Sequence, residues 1–410
     1  MSHDKDALVT RRAALQTGAG GAVATLLAGE DVSIGSETIT HTPDVYEALG
    51  IRPIINATGT MTKIGGSLMP PEVVSAWTAA SQSFISLVEL QDRVGERIAK
   101  LLDVDAALVT TGAAGGILVG TAAAVTHRDR GLVSRLPLPP EMGLEVIRQR
   151  THHACYDNQV TACGVRLVDV DTQADLERAI NDHTTMMFSY NYREPNSKIP
   201  RRAWVETARK HNIPTLLDAA ADTPPVDRLW EYNKMGYDMV IFSGGKGMRG
   251  PQDTGLLLGR KDLIEAAKWN TAPNCRNLGR GMKVSKEDMV AMWATVERFV
   301  HLDHEAEERE WLRRIATIEN ALQGIPTLET EHITPPIANQ VPHLLIRWDH
   351  QHVKVTPAEI KQQLADGDPS IITPSVGEYG FLICVFMLKQ GDEEIVAARV
   401  REIFDGARKE

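Results

Sequence analysis

The chain has 410 residues, 43% of them hydrophobic and 24% charged, which is enough for a large buried core and two domains. A formal net charge of −10 argues against a protein that works along phosphate backbones, since that affinity needs a concentrated basic surface. The four cysteines, Cys155, Cys163, Cys275 and Cys384, show no C-x-x-C spacing and so indicate neither a zinc ribbon nor a thioredoxin-like redox motif. Free thiols are expected, and a Cys155–Cys163 disulfide stays open only for an exported protein.

In chain order, the first segment with a message is "VTRRAALQTGAGGAVATLLAGE", where Arg11 and Arg12 precede a weakly apolar stretch from Ala13 to Ala28. It is too short and glycine-rich for a good membrane span. It resembles a Tat signal, a receptor-read address for folded proteins. The expectation is a leader over residues 1–40 and a periplasmic or exported protein; without export the protein is cytoplasmic. No other segment is long and apolar enough to cross a bilayer, so no membrane insertion is expected.

Residues 44–63 read as an arm. "PPEVVSAWTAASQSFISLVELQDRVGERIAKLL" then carries helical periodicity with charges on one face. Seven strands follow: "AALVTT" from Ala106, "LEVIRQ" from Leu144, "VRLVDV" from Val165, "TMMFSY" from Thr185, "PTLLDAA" from Pro214, "MVIFSG" from Met239 and "TGLLLG" from Thr254. Most are short continuous apolar runs bounded by turn residues, the pattern of strands covered on both faces.

Helical stretches such as "DLERAI" and "RAWVETARKH" fall between them, which predicts an α/β fold with a mainly parallel sheet. The last two strands leave no room for a crossover helix, so "TGLLLG" is expected to be antiparallel. From Lys286 a long charged helical run leads to "HLLIRWD" and "FLICVFML" with a helix between them, the pattern of a smaller C-terminal α/β domain. The expected division is 1–40, 41–285 and 286–410.

Three places carry chemistry. Lys246 ends a buried strand in "SGGKG", where desolvation lowers an ammonium's pKa and frees its amine for Schiff-base or base chemistry. "TTGAAGG", from Thr110 to Gly116, follows the first strand and opens a helix, so its backbone N–H groups and the helix dipole suit a phosphate. Walker and G-x-G-x-x-G patterns are absent from it, so a nucleotide is not the first choice. Asp218 stands at the C-terminal end of "PTLLDAA", where ligand-facing residues of open α/β sheets gather.

Singly, each has an ordinary reading: a turn lysine, a tight strand-to-helix connection, a helix cap. Together they supply the phosphate, pyridinium and aldehyde anchors of pyridoxal 5′-phosphate.

"LGIRPIINATGTMTKIGGSLMPPEVV", "AALVTTGAAGG", "LLDAAAD", "FSGGKGMRGPQDTGLLLGR" and "GRGMKVSKED" together resemble the L-seryl-tRNA(Sec) selenium transferase-like and D-glucosaminate-6-phosphate ammonia-lyase-like proteins of the fold-type-I aminotransferase superfamily. The resemblance runs from Tyr46 to the C-terminus. It implies a homodimer or larger homo-oligomer with sites at subunit interfaces, Lys246 as the cofactor-bearing lysine and Asp218 as the pyridinium partner. It further implies that Thr111, Gly112, Ala113 and Ser243 hold the phosphate and that His152 stacks on the ring. Arg280 and Lys283 match basic phosphate or substrate contacts from a neighbouring subunit, and Asn56 and Thr58 match positions near the substrate.

Where relatives carry an arginine late in the C-terminal domain, this chain has "PSVGEYGFLICVFML", with no bidentate clamp for a carboxylate. A metal role for His152 and His153 is disfavoured because adjacent strand residues point to opposite faces. His301 and His304 are expected to share a solvated helix face.

The expected activity is a lyase that removes a Cα proton from a small amino acid or amino sugar acid and eliminates a β-substituent with release of ammonia. A transferase or racemase shares the same first step, and a non-catalytic cofactor-binding protein is the remaining alternative. The separate N-terminal RNA-binding region of the selenium transferases is not evident, so no nucleic-acid partner is expected.

Overall fold

The computed structural model describes residues 45–374 and 380–408. The twin-arginine pair Arg11 and Arg12, and part of the arginine-free run from Pro374 to Leu388, lie outside these residues. By its internal contacts the chain divides between Pro53 and Ile54. The described part of the first unit holds one short helix, α1 (Val45–Ala48), closed by Leu49 and Ile51 N–H groups donating to Tyr46 O.

The second unit contains twelve described strands. A seven-stranded sheet is built from β2 (Ala106–Thr111), β3 (Glu145–Gln149), β4 (Arg166–Val170), β5 (Thr184–Tyr190), β6 (Thr215–Asp218), β7 (Met239–Ser243) and β8 (Thr254–Gly259), in the order β2-β8-β7-β6-β5-β3-β4. β8 runs antiparallel to both β2 and β7, and the other pairings are parallel. All seven strands read from sequence form, with their ends moved by a residue or two, and "TGLLLG" is the antiparallel one.

The period-2 alternation of strand side chains feeds two cores. Ala107, Val109, Val240 and Phe242 face one side, Leu108, Met239 and Ile241 the other. The first face is covered by α3 (Leu87–Leu102), α7 (Arg201–Lys210), α8 (Arg228–Met235) and α10 (Lys286–His301); α4 (Gly112–Thr126) and α9 (Lys261–Trp269) cover the second. α4 is apolar all round and buried from Gly115 to Thr126, as a helix inside a layered α/β core must be. The shorter α2 (Pro71–Ser81), α5 (Asp157–Thr161) and α6 (Gln173–Ala179) complete this part.

Two helical runs are broken where a side chain caps a new helix. Between α2 and α3 the Ser86 hydroxyl accepts from Glu89 N–H at 3.3 Å. Between α10 and α11 (His304–Leu322) Asp303 accepts from Ala306 N–H at 2.9 Å. His301 and His304 therefore sit on different helices rather than on one face. His304 is turned onto Phe299, donating Nε2–H to its carbonyl oxygen at 2.8 Å.

A third core is formed by Ile315, Ile318 and Leu322 of α11 with Leu344, Ile346, Phe381, Val396 and Val400. It is enclosed by α12 (Pro357–Asp366), α13 (Asp392–Ala407) and an antiparallel sheet in the order β12 (Phe381–Cys384), β10 (His343–Arg347), β9 (Glu329–Ile333). β1 (Ile54–Asn56) pairs in parallel with β11 (Ser370–Ile372), so Ile55 and Ala57 join this core. Neither strand is long enough to be read from local pattern. All four cysteines are free; Cys163 and Cys384 are buried, and burial pushes both thiols up to about 12.

Candidate active site

Because β8 is antiparallel to both neighbours, β2 runs in the same direction as β6 and β7. Their C-terminal ends therefore meet at one edge of the sheet, and Gly112, Asp218, Ser243 and Lys246 are brought to the wall of a single cavity of about 460 Å³. This is the edge at which open α/β sheets bind ligands.

The lysine turn is held by backbone contacts that side chains would obstruct. Gly244 N–H donates to Thr254 O at 2.8 Å, Gly250 N–H to Gly244 O at 2.8 Å, and Arg249 N–H to Lys246 O at 2.9 Å. A Cβ on Gly247 would lie 1.9 Å from Thr223 O, a distance no side chain can occupy. The segment after β1, from Thr62 to Leu68, closes on the turn from outside. Ser67 Oγ donates to Gly245 O at 3.0 Å, Gln252 Nε2 to Thr62 O at 2.9 Å, and Arg249 Nε to Leu68 O at 3.1 Å.

Burial is the largest influence on Lys246 and lowers its pKa from the ordinary 10.5, against the pull of the Asp218 and Asp222 carboxylates. Asp218 is 5% exposed, and burial pushes it up to about 6. Its Oδ1 accepts from Ala220 N–H at 2.9 Å, while Oδ2 has no partner among the described residues. A cationic ring nitrogen beside Oδ2 would restore the charged carboxylate.

The third anchor is the start of α4. Thr111 makes no side-chain cap bond, so the first-turn N–H groups of this fifteen-residue helix remain available to an anion. Gly112, at φ +62°, allows the sharp entry into the helix. The helix begins at Gly112, so "GAAGG" is its first turn rather than a loop ahead of it. A lysine amine, a buried carboxylate and a helix N-terminus around one cavity fit pyridoxal 5′-phosphate at its aldehyde, ring nitrogen and phosphate ends.

Other expected residues fall elsewhere. His152 is fully buried: its Nδ1 accepts from Tyr190 N–H at 3.1 Å and its Nε2 meets Ser197 Oγ at 2.8 Å. Burial brings it down to about 4. A ring facing the cavity would be accessible from it, so the structure does not bring His152 to the wall, where Tyr156 and Tyr192 stand instead.

Asn56 is occupied by its own turn, Oδ1 accepting from Thr58 and Gly59 N–H at 3.1 Å each and Nδ2 donating to Gly59 O at 2.9 Å. Neither Asn56 nor Thr58 reaches the wall; Thr62, further along the same arm, does. Arg280 and Lys283 line a different groove of about 380 Å³ with Phe84 and Ile85. Among the described residues no group of three His, Cys, Asp or Glu side chains is placed to hold a metal ion.

Sequence reasoning passed over Tyr156, Tyr192, Asp222, Gln252 and Asn339 on the wall. Asp222 had a signal, an acid one helical turn beyond Asp218 in "DAAAD". Asn339 had none: it lies far along the chain, is held at φ +47°, donates its N–H to Ala221 O at 2.7 Å and accepts from Thr60 Oγ1 at 3.3 Å.

Residues 54–325 match the family model described as SelA, L-seryl-tRNA selenium transferase. The chain is 28% identical over 382 residues to the D-glucosaminate-6-phosphate ammonia lyase of Salmonella typhimurium, covering 89% of this chain and 99% of that protein. It is 26% identical to the 5′-C-glycyluridine monooxygenase-decarboxylase of a Streptomyces species, covering 82% and 84%. A solved D-glucosaminate-6-phosphate ammonia-lyase superposes with a TM-score of 0.77 at 27% identity over 90% of this chain and all of that one. The serine palmitoyltransferase of S. paucimobilis, solved with bound PLP, shares the fold with a TM-score of 0.54 at 13% identity, over 86% and 88% of the two chains.

Proposed function

Since the chain belongs to the L-seryl-tRNA selenium transferase family, we propose that it is a pyridoxal 5′-phosphate-dependent lyase. It removes the Cα proton of a small amino acid or amino sugar acid, expels a β-substituent and releases ammonia. The observation that carries this reading is the convergence of Lys246, Asp218 and the α4 N-terminus on one cavity, and the ammonia-lyase relative at 28% identity supports the reaction type.

Lys246 would attach the cofactor, Asp218 Oδ2 would meet its ring nitrogen, and Gly112, Ala113 and Ser243 would hold its phosphate together with Thr111. When bound, the cofactor supplies an electron sink for the charge left at Cα. The chain's own task is to place a base and keep water away. Burial lowers the Lys246 pKa, which favours the neutral Nζ that would take the Cα proton, and Tyr156 and Tyr192 on the wall would keep water from the cavity.

A transferase or racemase is the second reading. The transferase is favoured by one observation, that selenium transferases are among this chain's relatives. The active unit would be a homodimer or larger, with Arg280 and Lys283 serving a neighbouring subunit's cavity. Residues 1–40 would act as a Tat leader: a tagged chain should fractionate outside the cytoplasm, and Arg11→Lys with Arg12→Lys should hold it in the cytoplasm, whereas an unchanged distribution of the double variant removes the export reading.

The test of the cofactor and its lysine is spectroscopic. Purified wild type should show a yellow band that borohydride abolishes, and Lys246→Ala should lack it; a colourless protein that pyridoxal 5′-phosphate cannot reconstitute would overturn the proposal. Given an amino-acid panel, elimination yields oxo acid and ammonia without any added acceptor. Strict dependence on a second oxo acid would instead establish the transferase.

A further inference from the structure

The cavity contains a second carboxyl group to which no task has yet been assigned. Asp222 is 2% exposed and lines the same wall as Lys246 and Asp218. Its Oδ2 accepts two hydrogen bonds, from Tyr232 OH at 3.0 Å and from Asn191 Nδ2. Asn191 also donates to Tyr232 OH at 2.7 Å and accepts from Arg201 Nη2 at 2.8 Å. Oδ1 has no partner among the described residues, so one oxygen is fixed in the protein and the other is left to the cavity.

The charges around Asp222 come from three sides. Lys246 and Asp218 share the cavity, and Arg201 and Arg228 lie over the Tyr232 ring at 5.5 and 5.8 Å. Burial is the largest influence on Asp222 and raises its pKa, opposed by the Tyr232 and Asn191 bonds and the two arginines. Two carboxyl groups around one ammonium in a desolvated site disfavour double ionisation. Asp218 is the one that a cofactor's ring nitrogen would keep charged. Asp222, its pKa raised by burial, would then be the one to hold a proton, and with both donors on Oδ2 that proton would sit on Oδ1.

We propose that Asp222 is the catalytic acid that protonates the departing β-hydroxyl group of the substrate. The inference rests on the elimination reading. Hydroxide is too poor a leaving group to depart unprotonated from a water-poor cavity. As the Cβ–O bond breaks with its electron pair going to oxygen, the Oδ1 proton moves to that oxygen and water leaves. The pair left by the Cα–H bond becomes the Cα=Cβ double bond. Asp222 recovers its proton from solvent, and hydrolysis of the enamine gives oxo acid and ammonia with no redox change. Holding Tyr232 and Asn191 in place would not by itself require a carboxylic acid, since an asparagine oxygen accepts the same two bonds.

The test uses the cofactor-loaded full chain with Asp222→Asn, which keeps that acceptor. Serine and 3-chloroalanine, in both enantiomers, serve as probes, because chloride leaves without a proton. Pyruvate formation from serine should fall by about 10²–10⁴-fold in the variant, the usual worth of a general acid. Formation from 3-chloroalanine and deuterium exchange at the serine Cα should stay within a few-fold, with the cofactor's absorption unchanged. A parallel loss with both leaving groups, or loss of Cα exchange together with product, would overturn the proposal in favour of a structural role.

A second readout needs no turnover. The infrared difference between wild type and Asp222→Asn at pH 7 should contain the C=O stretch of a protonated carboxylic acid, and its absence also sinks the proposal. If wild type forms pyruvate from neither probe, elimination on amino acids of this class fails, and the infrared band still decides whether Asp222 is an acid.

Discussion

A histidine with both ring nitrogens engaged and no exposed surface behaves as part of the core, and His152 is in that position. Folded His152 takes up its proton only at about 4, compared with the ordinary 6.5, so the unfolded chain binds more protons between those values. Its contribution to stability is complete above pH 6.5 and is lost as the pH falls towards 4, by on the order of 3 kcal/mol. His152→Asn, which can still accept from Tyr190 N–H, should flatten the pH dependence of the denaturation midpoint between pH 7 and 4. An unchanged slope would assign the acid sensitivity to other groups. Lys246 and Asp218 obey the same desolvation rule, but with an opposite charge on the same cavity wall: the Asp218 carboxylate opposes the fall of the Lys246 pKa, and the ammonium opposes the rise of the Asp218 pKa.

At the scale of elements, the lysine turn is a joint between two strands. β7 delivers Ser243, the glycines let the backbone press against Thr223 O and Gln252, and β8 returns to fix the joint in the sheet. Gly247→Ala should displace this turn and weaken retention of pyridoxal 5′-phosphate at least tenfold, measured by titrating the cofactor-free protein; undiminished affinity would show that the turn can relax away from Thr223. The helix breaks at Ser86 and Asp303 follow from capping. A hydroxyl or carboxylate that satisfies the N–H groups of a new first turn is worth about 1 kcal/mol, enough to end a run that periodicity alone would continue.

At the scale of the molecule, the exposed apolar surface around the start of α3 stands out. Phe84 is fully exposed, with Ile85 and Val88 at 49% and 56%, and it shares a groove with Arg280 and Lys283. Clustered apolar side chains of this kind mark association surfaces. The occupant that fits the proposed assembly is a second copy of the chain, which would bring the two cations to a neighbouring cavity. Phe84→Asp should therefore lower the mass measured by light scattering towards that of the monomer and reduce cofactor retention. A wild-type monomer would count against the homo-oligomer.

The seven strands, the antiparallel "TGLLLG" and the places of Lys246 and Asp218 at strand ends were legible in the chain because each is a local fact: a buried run, a missing crossover, a polar residue where an apolar run stops. The strand–helix alternation set Asp218 at the C-terminal end of a parallel strand, where ligands gather, but the meeting of Lys246, Asp218 and Gly112 at one cavity is a property of the folded sheet. Tertiary structure alone decided what completes the wall. Asn339 reaches it from the far side of the chain through one backbone bond to Ala221, β1 finds β11 across more than three hundred residues, and His152, close in sequence to the site, is turned into the core. Local pattern encodes burial and direction, whereas which distant side chains share a cavity depends on how whole layers pack.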